Sequence, residues 1–500
     1  MGFVSCSIKR VGQSLEVFGF SFRILFNKSK FAMSYNQDTI CAIATAPGGA
    51  LGVVRVSGPE AIVFTDKIFE PSKGKNLVER KPNTLTFGDV KKADGTVVDE
   101  VLVSLFRSPR SYTGEDSTEI SCHGSSYVLN TVVELLVKAG CRIAAPGEYT
   151  QRAFINGKMD LSQAEAVEDL IASQSAVQHR LAMQQMRGNY SNELKNLRKE
   201  LLHMTSLLEL ELDFSDHEDL EFANRDELKE IVGKIRRHIK KLRESFHLGN
   251  ALKNGIPVAI VGETNSGKST LLNSLVGEEK AIVSNIHGTT RDTIEDSAII
   301  NGIKFRFIDT AGIRETSDEI ERIGIERAFK QIDTADIILW LIDSEQVEEQ
   351  FENLCEAILP RIKKDSRLII LFNKVDQLSD AEILKIPMDK LITRCPEKTL
   401  SFPISVKRSE DVEKLKELLS SLMPSTTDEL FVTNVRHHEA LLRAQEDIER
   451  VENSLSSDLP TDLISQDLRE CLFHLAEITG GEITTNEVLG NIFKNFCVGK

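Results

Sequence analysis

Val258-Ala259-Ile260-Val261-Gly262-Glu263-Thr264-Asn265-Ser266-Gly267-Lys268-Ser269-Thr270 is an apolar run that stops at a glycine, turns through small polar residues and restarts on a lysine. The first part predicts a buried strand and the last residues open a helix. The spacing Gly262-x-x-x-x-Gly267-Lys268-Ser269 is that of a phosphate-cradling loop. In such a loop the backbone N–H groups and the helix N-terminus converge on an anion. Asn265, Ser266, Gly267 and Thr270 are candidate phosphate contacts, Lys268 neutralises the β/γ oxygens, and Ser269 is a Mg²⁺ ligand.

Downstream, the strand-like runs Phe305–Ile308, Ile337–Ile342 and Leu368–Phe372 alternate with helical stretches. That alternation predicts an α/β unit with a mostly parallel sheet and crossover helices. Asp309-Thr310-Ala311-Gly312 follows the first run. An aspartate there can hold a metal-bound water, and the Gly312 N–H can sense a γ-phosphate. Asn373-Lys374-Val375-Asp376 follows the third run. Guanine presents N1–H and N2–H side by side; one carboxylate accepts both, and adenine offers no such pair. Asp376 therefore selects GTP over ATP, because the wrong base leaves buried acceptors unpaired. Ser405-Val406-Lys407 would back the base through its main chain. Four motifs in this order predict a GTP hydrolase.

Ile313 stands where Ras-like enzymes place a water-orienting glutamine, so water and transition-state charge need other handling. The Asn265 amide oxygen can take a monovalent cation, and the segment Ser284–Asp292 can add carbonyl ligands, with Thr290 completing a Mg²⁺ shell.

Outward from this unit the chain changes character. Residues 38–157 mix strand-like runs (Ile40–Thr45, Gly52–Val56, Thr84–Val90, Val97–Phe106, Thr118–Cys122) with helical ones (Ala61–Phe69, Tyr127–Ala139). Residues 158–252 contain no proline, and Leu194, Leu197, Leu201, Met204 and Leu208 step along one helical face, as in a bundle core. The GTPase unit spans 253–424, and helices return in 425–500 at Glu439–Ser454 and Leu463–Ile478. The expected architecture is α/β plus α: an N-terminal α+β domain and a helical domain interrupted by an inserted P-loop domain.

A chain of 500 residues is too long for one core. Its net charge of −15 excludes a protein that coats nucleic acid by charge alone. The eight cysteines form no Cys-x-x-Cys pair, which excludes a zinc ribbon and fits a reducing compartment. No run of apolar residues is long enough for a membrane span. Residues 1–37 carry Lys9, Arg10, Arg23, Lys28 and Lys30 against a single acid, Glu16, the composition of a mitochondrial presequence. The expected location is the mitochondrial matrix.

Gly288–Asp292 (G-T-T-R-D), the run Asp309–Ala328, the run Asn156–Ala166 and the terminal Phe496-Cys497-Val498-Gly499-Lys500 resemble the MnmE (TrmE) family of tRNA-modification GTPases, most of all a mitochondrial member, over about residues 38–500. The resemblance implies a folate-binding and dimerisation domain, a helical domain and an inserted G domain. It implies K⁺ in place of an arginine finger, with Asn265, Ser284, Ile286 and Thr289 matching the K⁺ ligands. Ser269 and Thr290 match the Mg²⁺ ligands, and Glu321 matches the glutamate that orients water. Arg55, Glu119, Lys158 and Lys500 match residues around a reduced folate, a methylene- or formyl-tetrahydrofolate. Thr264 replaces the family's usual proline, and the loop Pro47–Gly52 is shorter than the bacterial pattern and lacks its arginine. Cys497 sits where a nucleophile or an idle thiol are both open readings.

The implied activity is GTP hydrolysis in the C5 modification of the wobble uridine, position 34, of mitochondrial tRNAs. The added group is of carboxymethylaminomethyl or taurinomethyl type. The implied partners are an FAD-containing MnmG-type protein, tRNA and a second copy of the chain. A regulatory GTPase of mitochondrial ribosome assembly is the alternative; it needs no folate site. The basic run Lys234–Arg243 reads as a solvated helix face before it reads as an RNA surface.

Overall fold

The computed structural model describes residues 38–46, 48–213, 225–277, 296–308, 331–423, 429–457, 459–481, 489, 492–494, 496 and 499. These divide into two compact units, one ending at Ala145 and including Gly499, the other beginning at Pro146.

The first unit is built on a seven-stranded sheet. Its strands are β1 (Ile40–Ile43), β2 (Leu51–Ser57), β3 (Phe69–Pro71), β4 (Thr84–Lys91), β5 (Val97–Phe106), β6 (Ser117–His123) and β7 (Arg142–Ile143), in the order β3-β4-β5-β6-β2-β1-β7. Strand side chains alternate between faces. Val54, Val56, Val101, Val103, Leu105 and Ile120 take one face and are buried. Helices α1 (Ala61–Ile68) and α2 (Ser126–Ala139) cover that face through Ile62, Leu129, Val132 and Leu136. On the other face Leu85, Phe87 and Leu102 stay exposed, with Phe87 paired to Leu102 across β4 and β5. The short strands β3 and β7 are additions to the sequence reading.

The second unit begins with helices α3 (Glu148–Ile155), α4 (Leu161–Ala172), α5 (Ala176–Met186), α6 (Asn189–Asp213), α7 (Arg225–Glu244) and α8 (Phe246–Asn254). Capping boxes start α4 (Asp160 with Gln163) and α5 (Ser175 with Gln178), satisfying N–H groups that a helix start leaves without partners. The nucleotide fold follows, with β8 (Ile256–Gly262), α9 (Lys268–Val276), β9 (Asp296–Ile300), β10 (Ile303–Ile308), β11 (Ile337–Asp343), α10 (Val347–Ile358), β12 (Arg367–Asn373), β13 (Leu400–Pro403) and, just before and after β13, helices 388–392 and 409–421. The strand order is β13-β12-β11-β8-β10-β9, parallel except that β9 runs antiparallel to β10. The central strands β8, β11 and β12 are apolar along most of their length because helices cover both faces, with polar residues only at strand ends such as Asp343 and Asn373.

The chain then closes with two long helices, 435–456 and 461–479. The predicted stripe Leu194, Leu197, Leu201, Met204 and Leu208 packs in one core with Val232, Ile235, Ile448, Val451, Leu468 and Leu475. Helical segments before and after the nucleotide fold therefore complete one bundle. A buried ion cluster ties them: Arg436 Nε donates to Glu165 Oε1 at 2.9 Å, and His437 Nε2 lies 2.7 Å from Glu165 Oε2.

Candidate functional site: the nucleotide loop and a basic cavity

Four loops leave the C-terminal ends of the adjacent parallel strands β13, β12, β11 and β8, the edge where open α/β sheets bind ligands. The loop after β8 is the Gly262–Ser269 segment. Gly267 has φ +103°, and a Cβ there would sit 2.2 Å from Asn373 Nδ2, so only glycine fits. Asn265 also takes a left-handed conformation, φ 62°, and is exposed.

Asn373 is the brace of the site. It is buried, and its Nδ2 donates to the Ser266 carbonyl at 2.7 Å. Its Oδ1 accepts from Val406 N–H at 3.1 Å. One amide thus locks the phosphate loop to the Ser405-Val406 loop. Three residues on, Asp376 Oδ1 accepts from Ser405 Oγ at 2.7 Å, and Lys407 Nζ lies 3.7 Å from its other oxygen. The Ser405 hydrogen bond, helped by the Lys407 charge, lowers the Asp376 carboxyl below its ordinary value and keeps it an acceptor. An ionised carboxylate is the acceptor the guanine N1–H and N2–H pair requires.

Lys268 donates to the carbonyls of Gly262 at 2.9 Å and Glu263 at 2.7 Å. Burial lowers its pKa, against the pull of Glu263. A half-buried ammonium at a helix N-terminus is suited to a polyanion. Ser269 and Thr270 are exposed at the start of α9. Lys374 has φ 69°, and its ammonium pairs with Asp343 Oδ2 at 2.5 Å. Asp343 was not legible as a site residue; an acid closing an otherwise apolar strand is its only signal in the sequence. Ser284, Ile286, Thr289, Thr290, Asp309, Thr310, Ala311, Gly312 and Glu321 lie outside the described residues.

A second site lies in the first unit. Arg55 on β2 stands directly across from Glu119 on β6, and its Nε donates to Glu119 Oε1 at 2.9 Å. Arg55 Nη1 donates to the Gly499 carbonyl at 3.3 Å, and its guanidinium lies 5.4 Å from the Tyr112 ring centre. Arg55, Glu119 and Tyr112 line a cavity of about 300 Å³, together with Asn83, Phe106 and Arg110. A planar aromatic wall beside a basic and an acidic group suits a flat heterocycle with a donor edge. Sequence reasoning missed Tyr112 and Arg110, which lie in the loop between β5 and β6. Lys158 lies in the other unit, just after α3, and Cys497 and Lys500 are outside the described residues. The basic run on α7 is matched by acids: Lys234 with Glu230, Arg236 with Glu452 and His238 with Glu193.

A phosphate loop locked by one asparagine to a base-selecting carboxylate defines a P-loop GTPase. The chain matches the family model for the GTP-binding protein TrmE N-terminus over residues 39–158. It matches the model for the MnmE helical domain over residues 161–497. It is 57% identical to the tRNA modification GTPase MnmE of Bacteroides thetaiotaomicron over 470 residues, covering 93% of this chain and 100% of that one. The corresponding protein of Phocaeicola vulgatus is 55% identical, with 93% and 99% covered, and that of Flavobacterium johnsoniae is 49% identical, with 93% and 100% covered. The chain belongs to the MnmE/TrmE family, whose members are GTP-hydrolysing enzymes acting in tRNA modification. No helix among the described residues is long and apolar enough to cross a membrane.

Proposed function

We propose that this protein is a K⁺-dependent GTP hydrolase required for the C5 modification of the wobble uridine, by an aminomethyl-type group, in concert with an FAD-containing MnmG-type partner. The observation that carries the GTP part is the Asn373 brace, which joins the phosphate loop to the Asp376 loop in one rigid site. Within it, Lys268, Ser269, Thr270 and the loop amides of Asn265, Ser266 and Gly267 serve the phosphates and Mg²⁺, while Lys374, Asp376 and Ser405 serve the base. Lys268, at the start of α9, suits the charge of a Mg²⁺-nucleotide. Asn265 is exposed on the loop, where an amide oxygen can reach a cation beside the triphosphate. The remaining assignments rest on sequence: Ser284, Ile286 and Thr289 to K⁺, Thr290 to Mg²⁺, Asp309–Gly312 to the γ-phosphate and Glu321 to the attacking water.

In the N-terminal unit, Arg55 and Glu119 are assigned to a reduced folate; the assignment of Lys158 and Lys500 to the same ligand rests on the family resemblance of the sequence. Their fit is the cavity itself: a paired acid and base beside the Tyr112 ring. Bound folate would supply a one-carbon unit; the protein's part is to hold its ring and exclude water. The exposed Leu85, Phe87 and Leu102 form an uncovered sheet face that suits a second copy of the chain.

For location two readings stand apart. The basic, acid-poor residues 1–37 favour import into the mitochondrial matrix. The relatives at 49–57% identity are bacterial, which favours a bacterial cell. Fractionation of the source cells separates them.

The test has two arms. GTP turnover in KCl should exceed that in NaCl by about a hundredfold, as expected when a cation offsets transition-state charge. Equal turnover removes the K⁺ reading. Nucleosides from a deletion strain, analysed by mass, should lack the wobble modification; unchanged wobble uridines remove the tRNA position.

A further inference from the structure

We propose that Asp343 is a positioning residue for guanine recognition. It holds Lys374 away from Asp376 and so keeps the base-selecting carboxylate open. This rests on the reading of Asp376 as the guanine acceptor.

Three observations converge. First, Asp343 is the last residue of β11, and β12 beside it ends in Asn373, its register partner. Asp343 is buried, and both of its carboxylate oxygens are engaged: Oδ2 takes the Lys374 ammonium at 2.5 Å and Oδ1 accepts Glu345 N–H at 3.2 Å. Its own N–H donates to the Gln350 side chain at 2.9 Å, which fixes the strand end on α10. Second, Lys374 holds a left-handed backbone, φ 69°, unfavourable for a residue with a Cβ. The conformation is held at both sides, by the Asn373 brace before it and by the short helical turn 375–377 after it. Third, Asp376 lies two residues from Lys374, and one of its oxygens already accepts Ser405 Oγ.

The physical problem is competition. A lysine two residues from a carboxylate can compete for it, and a carboxylate paired with an ammonium accepts the two guanine N–H groups less strongly. Asp343 is the better acceptor because it is more buried than Asp376, so its attraction to the ammonium is less screened. Lys407 also approaches Asp376, but at 3.7 Å and from an exposed side chain. Its pull lowers the pKa of the carboxyl without closing it. The pairing has a second effect. With its tip held by Asp343, the Lys374 side chain has fewer conformations to give up when a nucleotide binds.

The experiment is equilibrium titration of the full-length protein with a fluorescent GDP, using Asp343→Asn, Lys374→Met and the double variant, with Asp376→Asn as reference. Asp343→Asn keeps the shape and the acceptor for Glu345 N–H. Its Kd for GDP should rise about tenfold, the worth of one charge-assisted hydrogen bond. The KM for GTP should rise in parallel while kcat at saturation holds. In the Lys374→Met background the same substitution should change the Kd by less than about twofold, because there is no ammonium left to direct. An effect of equal size in both backgrounds makes Asp343 merely structural and overturns the proposal, as does an unchanged Kd in Asp343→Asn. If Asp376→Asn leaves GDP affinity unchanged, the reading of the base site itself fails. If Asp376→Asn weakens GDP and Asp343→Asn does not, only the present proposal fails.

Discussion

In the nucleotide region, four loops leave the C-terminal ends of adjacent parallel strands, and each carries its chemistry within a few consecutive residues. In the N-terminal sheet, Arg55 and Glu119 meet across neighbouring antiparallel strands, and the atoms around them come from Tyr112, Arg110 and Gly499. The first site is made of short segments arranged by a sheet. The second is made of single residues brought together by register, by the β5–β6 loop and by a residue far along the sequence. A parallel sheet delivers every strand's C-terminal loop to one edge, so local motifs suffice. An antiparallel sheet places a side chain by which strand pairs with which, information that no short segment holds.

The sharpest way to break this contrast is to remove the brace. Asn373→Ala leaves the Ser266 carbonyl and the Val406 N–H without partners inside the site, each worth about 1–3 kcal/mol. GDP affinity should fall by about a hundredfold, read by fluorescent-nucleotide titration, with folate binding unchanged. A folate loss of equal size would mean that the two regions are one cooperative site. A smaller effect comes from the other side. Arg55→Ala should weaken tetrahydrofolate binding about tenfold by calorimetry while the KM for GTP stays put.

The smallest effect separates both sites from the scaffold. Burial alone would raise the Glu165 carboxyl, but His437 and Arg436 outweigh it and hold it at about 2. Its folded value lies below the ordinary 4.5, so its stabilisation is present above that value and is lost as pH falls toward 2. Thermal melts between about pH 5 and about pH 3 should therefore fall more steeply for the native protein than for Glu165→Gln. Parallel curves would mean that the cluster contributes no pH-linked stability.

Legibility followed the same line. The phosphate loop, Asn373, Asp376 and Ser405 could be read directly, because each is embedded in a segment whose flanking apolar run fixes its place in the sheet. The leucine stripe of α6 could be read as core because helical period is local. Asp343 could not, because its role depends on the strand beside it. β9 escaped as well, although Asn301-Gly302 carries the signal of a two-residue hairpin and both residues take positive φ, 49° and 77°. Ile299-Ile300 before the turn and Ile303 after it resemble a buried strand more than a turn. The expected K⁺ loop, the Asp309–Gly312 segment and Glu321 fall outside the described residues.

The bond from Arg55 to Gly499 joins residues 444 positions apart in the sequence. Gly499 has φ +94°, and a Cβ there would sit 2.4 Å from the Ile43 carbonyl, so the close fit admits no side chain. During translation the N-terminal sheet can form while the rest of the chain is still being added. The contact that steadies Arg55 at its cavity forms only once the residues around Gly499 have been made. A chain cut before Gly499 would thus keep the first sheet but lack the carbonyl that accepts from the Arg55 guanidinium beside that cavity.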